Sequence, residues 1–526
     1  MNPTQTCSPI PAEGWTALAA DASEAIPLYD VDTLRRIENA AFARLPSFEL
    51  MSRAGGAAAG WLAQHAPQGL LLFLAGPGNN GGDALVAATR LHQNGRDVQV
   101  WLTADPTHMP ADAARAWQEA DAAGVPMHAV PQTAPWPDRM AAVVDGLLGI
   151  GLNRAAGGAI AEWIARLAQA PAPVFALDIP SGLFADTGAG DPAVRAYRTL
   201  TFIGAKPGLL TLDGRDCAGN IDIAPLGLDY PPVQTPRAWV NGPALFRHTL
   251  PARRHAANKG TFGSLAILGG NTGMTGAPLL GARAAQCLGA GKVHIGFLAP
   301  SAPAIDPLHP ELMLHPQSEL AISAMSALVI GPGMGTDAGA RKALAQWLED
   351  AGRSASPPSL VLDADALNLL AADASLAATL SASELPRVMT PHPLEAARLL
   401  GTTVAAVQRD RLAAAAALAA QWQAVVILKG SGSVIAAPGN LAMTINPTGN
   451  AALASAGTGD VLAGMAGALL AQGMPLLHAA QAAVWIHGRA ADMLVANGSG
   501  PAGLTASELH FPARSILNAL LRAESA

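Results

Sequence analysis

The sequence NAALASAGTGD, residues 450–460, leads into a run of small and apolar residues with the composition of a buried helix. A Gly-Thr-Gly turn at the start of a helix directs backbone N–H groups at one point, which suits a transferring phosphoryl group. Asp460 can cap this helix, or it can accept a proton from a hydroxyl that attacks the phosphoryl group. Because capping alone does not require the Gly-Thr-Gly turn, we favour the proton acceptor.

Short apolar runs alternate with helical segments around this stretch, a pattern typical of α/β folds with parallel sheets. Predicted strands cover residues 265–268, 293–297, 328–330, 360–362 and 425–428, and predicted helices cover 276–288, 339–351, 411–423 and 461–472. Glycine- or aspartate-bearing loops follow at residues 269–277, 331–335, 363–368, 390–395 and 429–433. Ligands of such sheets bind at the carboxyl ends of the strands, so we expect one shared site. His392 alone would more often be a capping residue; among these loops we favour a ligand contact.

Another alternating block lies N-terminal to this one, and it is the first block in chain order. Its predicted strands cover residues 69–75, 98–102, 140–144 and 174–177, and its helices include 83–94 and 110–123. The loops GPGNNGGD (76–83), DGLLGIGL (145–152) and LDIPSGL (177–183) follow three of the strands. Lys206 comes after a further apolar run, and a lone lysine there could equally be a solvated surface residue. Paired with Asp178, it would form a plausible acid/base couple.

Length and composition limit the class of protein. A chain of 526 residues exceeds one hydrophobic core, and prolines interrupt the pattern near residues 225–254, so we place domains at 1–232 and 233–526. Half of the residues are apolar and the net charge is -7, which favours a globular protein and argues against a nucleic-acid surface. Three distant cysteines, no signal peptide and no long apolar run lead us to expect no disulfide framework, no membrane span and a cytoplasmic location.

The first block, from about residue 29 to 228, resembles the NAD(P)HX epimerase family in the order and spacing of its three loops and the Lys-Pro-Gly segment at 206–208. The resemblance implies a Rossmann-like three-layer α/β domain. It implies that Asn80, Asp145 and Ser181 hold a potassium ion, and that Asp178 acts with Lys206 as the catalytic pair. The implied substrate contacts are Asn79, Asn80, Gly81, Gly82, Asp83, Gly149, Ile150, Gly151, Leu152 and Asp178. Ile150 stands where threonine is common, and Ala84 where glycine is usual.

The second block, from about residue 240 to 521, resembles the NAD(P)HX dehydratase family of the ribokinase-like α/β fold. The resemblance covers every loop of this block described above and the turn at residues 450–460. The resemblance implies that the hydrated dinucleotide is surrounded by Ala277, Gly335, His392 and Asp460, with Asp460 as the catalytic base. The implied contacts of the nucleotide donor are Lys429, Gly430, Ser431, Gly432, Ser433 and Gly459. Asn258 departs from the family, which commonly has histidine before the lysine that is Lys259 here.

Together the two resemblances imply a bifunctional enzyme of metabolite repair. Its substrates would be NADHX and NADPHX, which carry a hydroxyl on C6 of the nicotinamide ring in R and S forms. The N-terminal isomerase would interconvert the two forms. The C-terminal lyase would phosphorylate the S-form hydroxyl from ADP with Mg²⁺, so that phosphate leaves and NAD(P)H and AMP remain. We expect a homo-oligomer with no nucleic-acid or membrane partner.

The residues alone leave two other functions open. Vitamin and sugar kinases share the Gly-Thr-Gly-Asp turn, but a kinase does not explain the first block. A binding scaffold is the second alternative, because domains resembling the first block occur in RNA-associated scaffolds. The presence of both Asp178 and Lys206, together with the acidic net charge, argues against a scaffold.

Overall fold

The computed structural model describes residues 14–190, 192–228, 235–439 and 443–522. These residues form two compact units. The N-terminal unit holds the described residues up to Ala19 together with Ile26–Ala238, and the C-terminal unit holds Ala20–Ala25 and the residues from Trp239 onward. The predicted domain limit at 232/233 lies outside the described residues. Among the described helices, none has the length and apolar character needed to span a membrane.

The N-terminal unit is a sheet with helices on both faces. Its strands are β1 (Thr16–Ala17), β2 (Pro27–Leu28), β3 (Leu70–Ala75), β4 (Val98–Leu102), β5 (Met127–Ala129), β6 (Met140–Gly146), β7 (Val174–Leu177), β8 (Arg198–Phe202) and β9 (Asn220–Ala224). Its helices are α1 (Val31–Phe42), α2 (Ser47–His65), α3 (Asn79–Gln93), α4 (Ala111–Ala122), α5 (Gly158–Leu167) and α6 (Gly214–Cys217).

The sheet contains these strands except β2, in the order β1-β9-β8-β7-β6-β3-β4-β5, and all its strands are parallel except β1, which pairs antiparallel with β9. Alternate residues of β3 enter different cores, because successive side chains of a strand point to opposite faces. Leu71 and Phe73 pack with α1 to α4, whereas Leu72 and Leu74 pack with Trp163 of α5. The predicted three-layer α/β fold is confirmed.

The C-terminal unit has a longer sheet. Its strands are β10 (Ala238–Val240), β11 (Ser264–Gly269), β12 (Lys292–Phe297), β13 (Met313–Pro316), β14 (Ala327–Ile330), β15 (Ser359–Leu362), β16 (Arg387–Met389), β17 (Val425–Leu428), β18 (Val434–Ala436) and β19 (Met443–Ile445). Its helices are α7 (Pro243–Phe246), α8 (Gly276–Cys287), α9 (Ala338–Gly352), α10 (Asp365–Ala372), α11 (Ala374–Ala382), α12 (Pro393–Leu400), α13 (Val404–Arg409), α14 (Arg411–Trp422), α15 (Thr458–Ala471), α16 (Leu476–Ala496) and α17 (His510–Arg522).

These strands run in the order β13-β12-β11-β14-β15-β16-β17-β18-β19-β10. The strands from β13 to β17 are parallel, and β18 pairs antiparallel with both β17 and β19. Helices α8 and α15 pack against each other and against this sheet. The ribokinase-like α/β prediction agrees with this arrangement of a mainly parallel sheet and covering helices.

Every strand and helix predicted from periodicity is present, and the largest shift is at α3. This helix begins at Asn79 rather than Asp83, so the Asn-Asn-Gly-Gly segment is its first turn and not a loop. Glycine is a poor helix former, so the two glycines led to the prediction of a loop in this segment. Glycine is nevertheless required at this turn, because a Cβ on Gly81 would lie 2.0 Å from the Gly76 carbonyl oxygen.

The contact between α8 and α15 gives a test of the fold. A Cβ on Gly464 would lie 2.1 Å from the Gly281 carbonyl oxygen, so Gly464→Ala must separate the two helices. Overpacking of this kind costs about 1–3 kcal/mol, although alanine in a free helix would stabilise by about 0.5–1 kcal/mol. We expect a lower melting temperature by calorimetry for this variant. Gly352→Ala is the matched control, since nothing lies within 4 Å of its added Cβ. Equal melting temperatures for Gly464→Ala and the parent protein would contradict the packing.

Candidate active sites

The loops after β3, β6, β7 and β8 border a cavity of about 650 Å³ in the N-terminal unit, which α1 and α2 also line. Of the predicted epimerase residues, those in its lining are Asn79, Asn80, Asp83, Gly149, Ile150, Gly151, Leu152, Asp178 and Lys206. Gly81 and Gly82 are not in this lining. They pack against Gly76 and Met51 and thereby fix the position of α3.

Asp178 and Lys206 form a buried ion pair in this cavity. Lys206 Nζ lies 2.5 Å from Asp178 Oδ1, and it also donates to Thr201 Oγ1 at 2.7 Å and to the Phe202 carbonyl at 2.9 Å. An ammonium group has three N–H donors, so each has an acceptor. The structure therefore brings the predicted pair together and holds the lysine in one orientation.

The backbone aims the Asp178 carboxylate at the cavity. Asp178 has φ +65°, in the left-handed region that few residues other than glycine adopt. Its Oδ2 accepts the Ile150 N–H at 3.2 Å. Because this contact comes from the backbone, it does not depend on threonine at position 150. Strained conformations of this kind are concentrated at functional sites.

Asn80, Asp145 and Ser181 lie in one buried hydrogen-bond network. Ser181 Oγ donates to Asp145 Oδ1 at 2.6 Å and accepts the Leu148 N–H at 2.9 Å. Asn80 Nδ2 donates to the Leu148 and Leu177 carbonyls at 2.9 and 3.1 Å, whereas its buried Oδ1 has no hydrogen-bond partner among the described residues. Burial raises the pKa of Asp145 to about 6. An unpartnered amide oxygen beside a buried carboxylate is a donor set that hard cations accept.

Two further carboxyl groups line the same cavity. Burial raises the pKa of Asp83 well above its usual value, and the charges of Asp178 and Glu38 raise it further. Burial and the Asp178 charge also raise the pKa of Glu38. Three cationic side chains, Lys206, Arg35 and Arg154, also line the cavity; burial, which is the largest cause, and the neighbouring carboxylates still raise both pKa values.

Four charged side chains cluster where β15, β16 and β17 of the C-terminal unit end. Lys429 Nζ lies 2.7 Å from Asp363 Oδ1 and 3.8 Å from Glu395 Oε2. Asp460 reaches the same cluster from α15. Burial raises the pKa of Asp460 to about 7, and the Asp363 charge adds to this while Lys429 opposes it. A group with this pKa can accept a proton at neutral pH, as a general base requires.

Asp460 does not cap α15. The cap residue is Gly457, with φ +86° and no side-chain hydrogen bond. Within the part of the chain that the structure describes, no hydrogen bond occupies the Asp460 carboxylate. The alternative prediction, that Asp460 caps this helix, is therefore wrong, and the Asp460 carboxylate is available to a ligand.

His392 does cap a helix. Its Nδ1 accepts the Leu394 and Glu395 N–H groups at 3.1 and 3.3 Å, and Glu395 Oε2 accepts the His392 N–H at 2.8 Å. These bonds form a capping box at the start of α12. The imidazole Nε2 lies 3.2 Å from Glu395 Oε1. The alternative role of His392 as a helix cap is therefore present. A substrate contact by His392 stays a prediction.

The loops after β11, β14 and β15 are joined to one another. The Gly335 N–H donates to Asp365 Oδ2 at 2.9 Å, and a Cβ on Gly335 would lie 3.4 Å from Asn271 Nδ2. A Cβ on Gly333 would lie 3.1 Å from the Ala277 Cβ. The structure therefore places Ala277, in the first turn of α8, close to the loop of Gly335 at this sheet edge.

The loop after β17 is held by a buried arginine. Arg411 Nη2 donates to the carbonyls of Leu428 and Lys429 at 3.1 and 3.2 Å. A Cβ on Gly459 would lie 3.5 Å from Lys429 Nζ, so this loop meets the start of α15. The predicted nucleotide contacts in these two segments are Lys429, Gly430, Ser431, Gly432, Ser433 and Gly459.

A carboxylate on α16 holds the loop that precedes the Gly-Thr-Gly turn. Asp492 Oδ2 accepts the Gly449 N–H at 3.0 Å, and its Oδ1 accepts Asn450 Nδ2 at 2.9 Å. Asn450 Oδ1 in turn accepts the Ala452 N–H at 3.0 Å. These bonds hold the backbone leading into the turn in one conformation before a ligand binds.

Known proteins resemble both units. The family model for NAD(P)H-hydrate dehydratase matches residues 265–510, and the model for the YjeF-related protein N-terminus matches residues 47–208. The bifunctional NAD(P)H-hydrate repair enzyme Nnr of Escherichia coli is 38% identical over 507 residues, which cover 93% of this chain and 93% of that protein. The Nnr enzyme of Coxiella burnetii is 36% identical over 502 residues and is covered to 99%.

The chain belongs to the family of bifunctional NAD(P)H-hydrate repair enzymes.

A single-domain relative covers the C-terminal unit alone. The ADP-dependent (S)-NAD(P)H-hydrate dehydratase of Neisseria meningitidis is 45% identical over 279 residues, 53% of this chain and 92% of that protein. The repair-enzyme family thus agrees with both resemblances inferred from the loop sequences.

Several residues of these sites were not predicted. Glu395 and Asp363 lie in segments that the sequence analysis identified as strand-end loops. Acidic residues at such positions could have been predicted as site residues. Arg411 and Asp492 lie on helices and reach the loops only through the tertiary fold, so no local pattern marks them. Glu38 on α1 is likewise remote from every motif.

The raised pKa of Asp460 predicts the pH dependence of dehydration. A general base must be ionised, so kcat/KM for the S form should fall as pH decreases through about 7, rather than near the usual value of an aspartate. Asp460→Asn should lower the rate by about 10²–10⁴-fold and remove the Asp460 contribution to the acidic limb of the pH profile. Glu395 titrates in the same range, with a pKa raised by burial to about 7, so the variant is needed to assign the limb.

Glu384→Gln, which changes an exposed carboxylate, is the matched control and should keep the parent profile. A flat parent profile down to pH 5, or near-normal NADH regeneration by Asp460→Asn, would contradict the assignment of Asp460 as base.

Proposed function

We propose that this chain repairs hydrated NADH and NADPH with two active sites. The N-terminal site interconverts R- and S-NAD(P)HX, and the C-terminal site dehydrates S-NAD(P)HX at the expense of ADP, giving AMP and phosphate. The observation that carries this proposal is the presence in one chain of both the Asp178–Lys206 cavity and the Asp460–Lys429 cluster. Repair-enzyme relatives that align with nearly the whole chain support it.

In the C-terminal site, Asp460 accepts the proton of the C6 hydroxyl as this oxygen attacks the terminal phosphoryl group of ADP, and the bond from that phosphorus to the bridging oxygen breaks, so that AMP leaves with the electron pair. The N–H groups at the start of α15 offset the charge that develops on the phosphoryl oxygens. Lys429 supplies a positive charge beside the same turn. The bond from C6 to the phosphorylated oxygen then breaks, phosphate leaves with the electron pair, and loss of a ring proton restores the dihydropyridine.

We include Mg²⁺ as the partner of ADP in this site. Within the described residues no group of three or more histidine, cysteine or acidic side chains is arranged to hold a metal alone. Magnesium usually binds through one or two carboxylates together with substrate phosphates. Asp363 and Glu395, which face Lys429, are carboxylates of this kind.

In the N-terminal site, Asp178 contacts the substrate and Lys206 holds that carboxylate in place. A potassium ion beside Asn80, Asp145 and Ser181 is part of the proposal, supported by the unpartnered Oδ1 of Asn80. A bound cation would supply a fixed positive charge beside these three residues. We also propose a cytoplasmic location, which the two free buried cysteines Cys217 and Cys287 support; the homo-oligomer stays a prediction.

The two-site arrangement predicts a stalled reaction when only the first site is damaged. Lys206→Ala or Asp178→Ala, given mixed R- and S-NADHX with ADP, should begin at the parent rate on the S form. The reaction should then stall, with R-NADHX draining only as fast as it epimerises spontaneously. Absorbance of regenerated NADH follows both phases, and Lys342→Ala, which changes an exposed lysine, should not stall.

Asp460→Asn protein has an intact first site, so adding it should release the stall. Complete conversion by both cavity variants at the parent rate, under conditions of slow spontaneous epimerisation, would remove Asp178 and Lys206 from the mechanism.

A further inference from the structure

The cavity of the N-terminal unit contains an acid that no sequence motif predicts, Glu38 on α1. It lines the cavity together with Asp83, Asp178 and Lys206. In the described parts of the chain, no hydrogen bond or ion pair joins Glu38 to another residue. A carboxyl group of this kind, half-buried and without a structural partner, is available to a ligand.

The Asp178–Lys206 pair is held in place by several hydrogen bonds. All three N–H groups of Lys206 have acceptors at 2.5 to 2.9 Å. Asp178 uses Oδ1 for Lys206 and Oδ2 for the Ile150 N–H. A carboxyl group of the cavity that has no such protein partner is better placed to exchange a proton with the substrate.

We propose that Glu38 and Asp83 act as the acid/base couple of the epimerase, with one proton shared between them. This inference rests on the proposed epimerase function and deepens it. Both groups line the cavity, and they come from different helices, α1 and α3. Each lies within the electrostatic influence of Asp178, and like charges in one small cavity disfavour ionisation of every member.

The proposed steps conserve atoms and electrons. The protonated member gives its proton to the C6 hydroxyl, the C6–O bond breaks, and its electron pair leaves with water. The lone pair of the ring nitrogen N1 forms an N1=C6 double bond, and the ring becomes a cation. Water then adds to the other face of C6, the double-bond pair returns to N1, and the ionised carboxylate takes a proton from the added water. Proton transfer between Glu38 and Asp83 restores the couple.

The charges of the cavity suit this route. The ring cation would lie among the carboxylates of Asp178 and of the ionised member of the couple. Besides Asp83, the charged groups that act on Glu38 are Asp178, Lys206 and Arg35 of its own helix. Burial and Asp178 raise the pKa of Glu38, whereas Lys206 and Arg35 oppose this. A carboxyl group whose pKa is raised in this way holds its proton more readily than a free glutamate, as a general acid requires.

The test uses the full chain and purified S-NADHX without nucleotide, so that only epimerisation occurs, and follows the R form by chromatography. Glu38→Gln keeps the shape of the side chain but removes its proton, and it should slow interconversion by about 10²–10⁴-fold. Asp83→Asn should have a similar effect. The double variant should be little slower than either single variant, because residues that act as one unit are not additive.

Three comparisons decide the outcome. Asp32→Asn, an exposed carboxyl on the same helix, should interconvert at the parent rate. Glu38→Asp, which keeps a proton on a shorter side chain, should be faster than Glu38→Gln. The parent rate should follow a bell-shaped pH profile, and Glu38→Gln should lose one of its limbs. An unchanged melting temperature of the N-terminal unit, measured by calorimetry, shows that each variant is folded.

Failure of the parent chain to interconvert the two forms would overturn the epimerase function itself. If the parent interconverts them and folded Glu38→Gln does so at the parent rate with the parent pH profile, only the Glu38–Asp83 couple is wrong. Multiplicative losses in the double variant, or equal rates for Glu38→Asp and Glu38→Gln, would also overturn the couple.

Discussion

Parallel strands end at the same edge of a sheet, and both sites of this chain depend on that constraint. In the N-terminal unit it places the loops after β6, β7 and β8 around one cavity. In the C-terminal unit it brings Asp363 and Glu395 within 4 Å of Lys429, and these three residues follow three successive strands. Residues far apart in sequence thus meet without any special local structure.

Close backbone contacts complete both sites, and glycine permits them. The first turn of α3 approaches Gly76 through Gly81, and α15 approaches α8 through Gly464. Each contact fixes the helix whose first turn carries functional residues. The Gly-Thr-Gly turn therefore has two functions: it presents N–H groups to an anion, and it begins a helix whose position is set by packing against α8.

The sequence was sufficient for the fold class and for most residues of the two sites, because strand-end loops are local features with recognisable composition. It was insufficient where tertiary contacts supply the residue. Arg411 reaches the Lys429 loop from a helix, and Glu38 reaches the cavity from α1, neither with a local signal. His392 shows the opposite limitation, since its residue type fitted both a cap and a ligand contact, and only the Nδ1 hydrogen bonds established the cap.

Buried carboxyls of raised pKa distinguish the two sites chemically. Asp460 has one cationic neighbour and a pKa of about 7, which suits a base that accepts one proton per turnover. The N-terminal cavity holds an ion pair beside carboxyls whose pKa values are raised by burial, which suits reversible exchange at one carbon. A phosphoryl-transfer site and an isomerase site can therefore be built from the same residue types on similar sheets.

The most direct test of the account is complete conversion of mixed R- and S-NADHX by the purified chain with ADP. Regenerated NADH should equal the total of both forms, and AMP and phosphate should each appear in equal amount to NADH. Conversion that stops when the S form is used up, NADH formation without nucleotide, or accumulation of a stable phosphorylated vitamin or sugar would contradict the account.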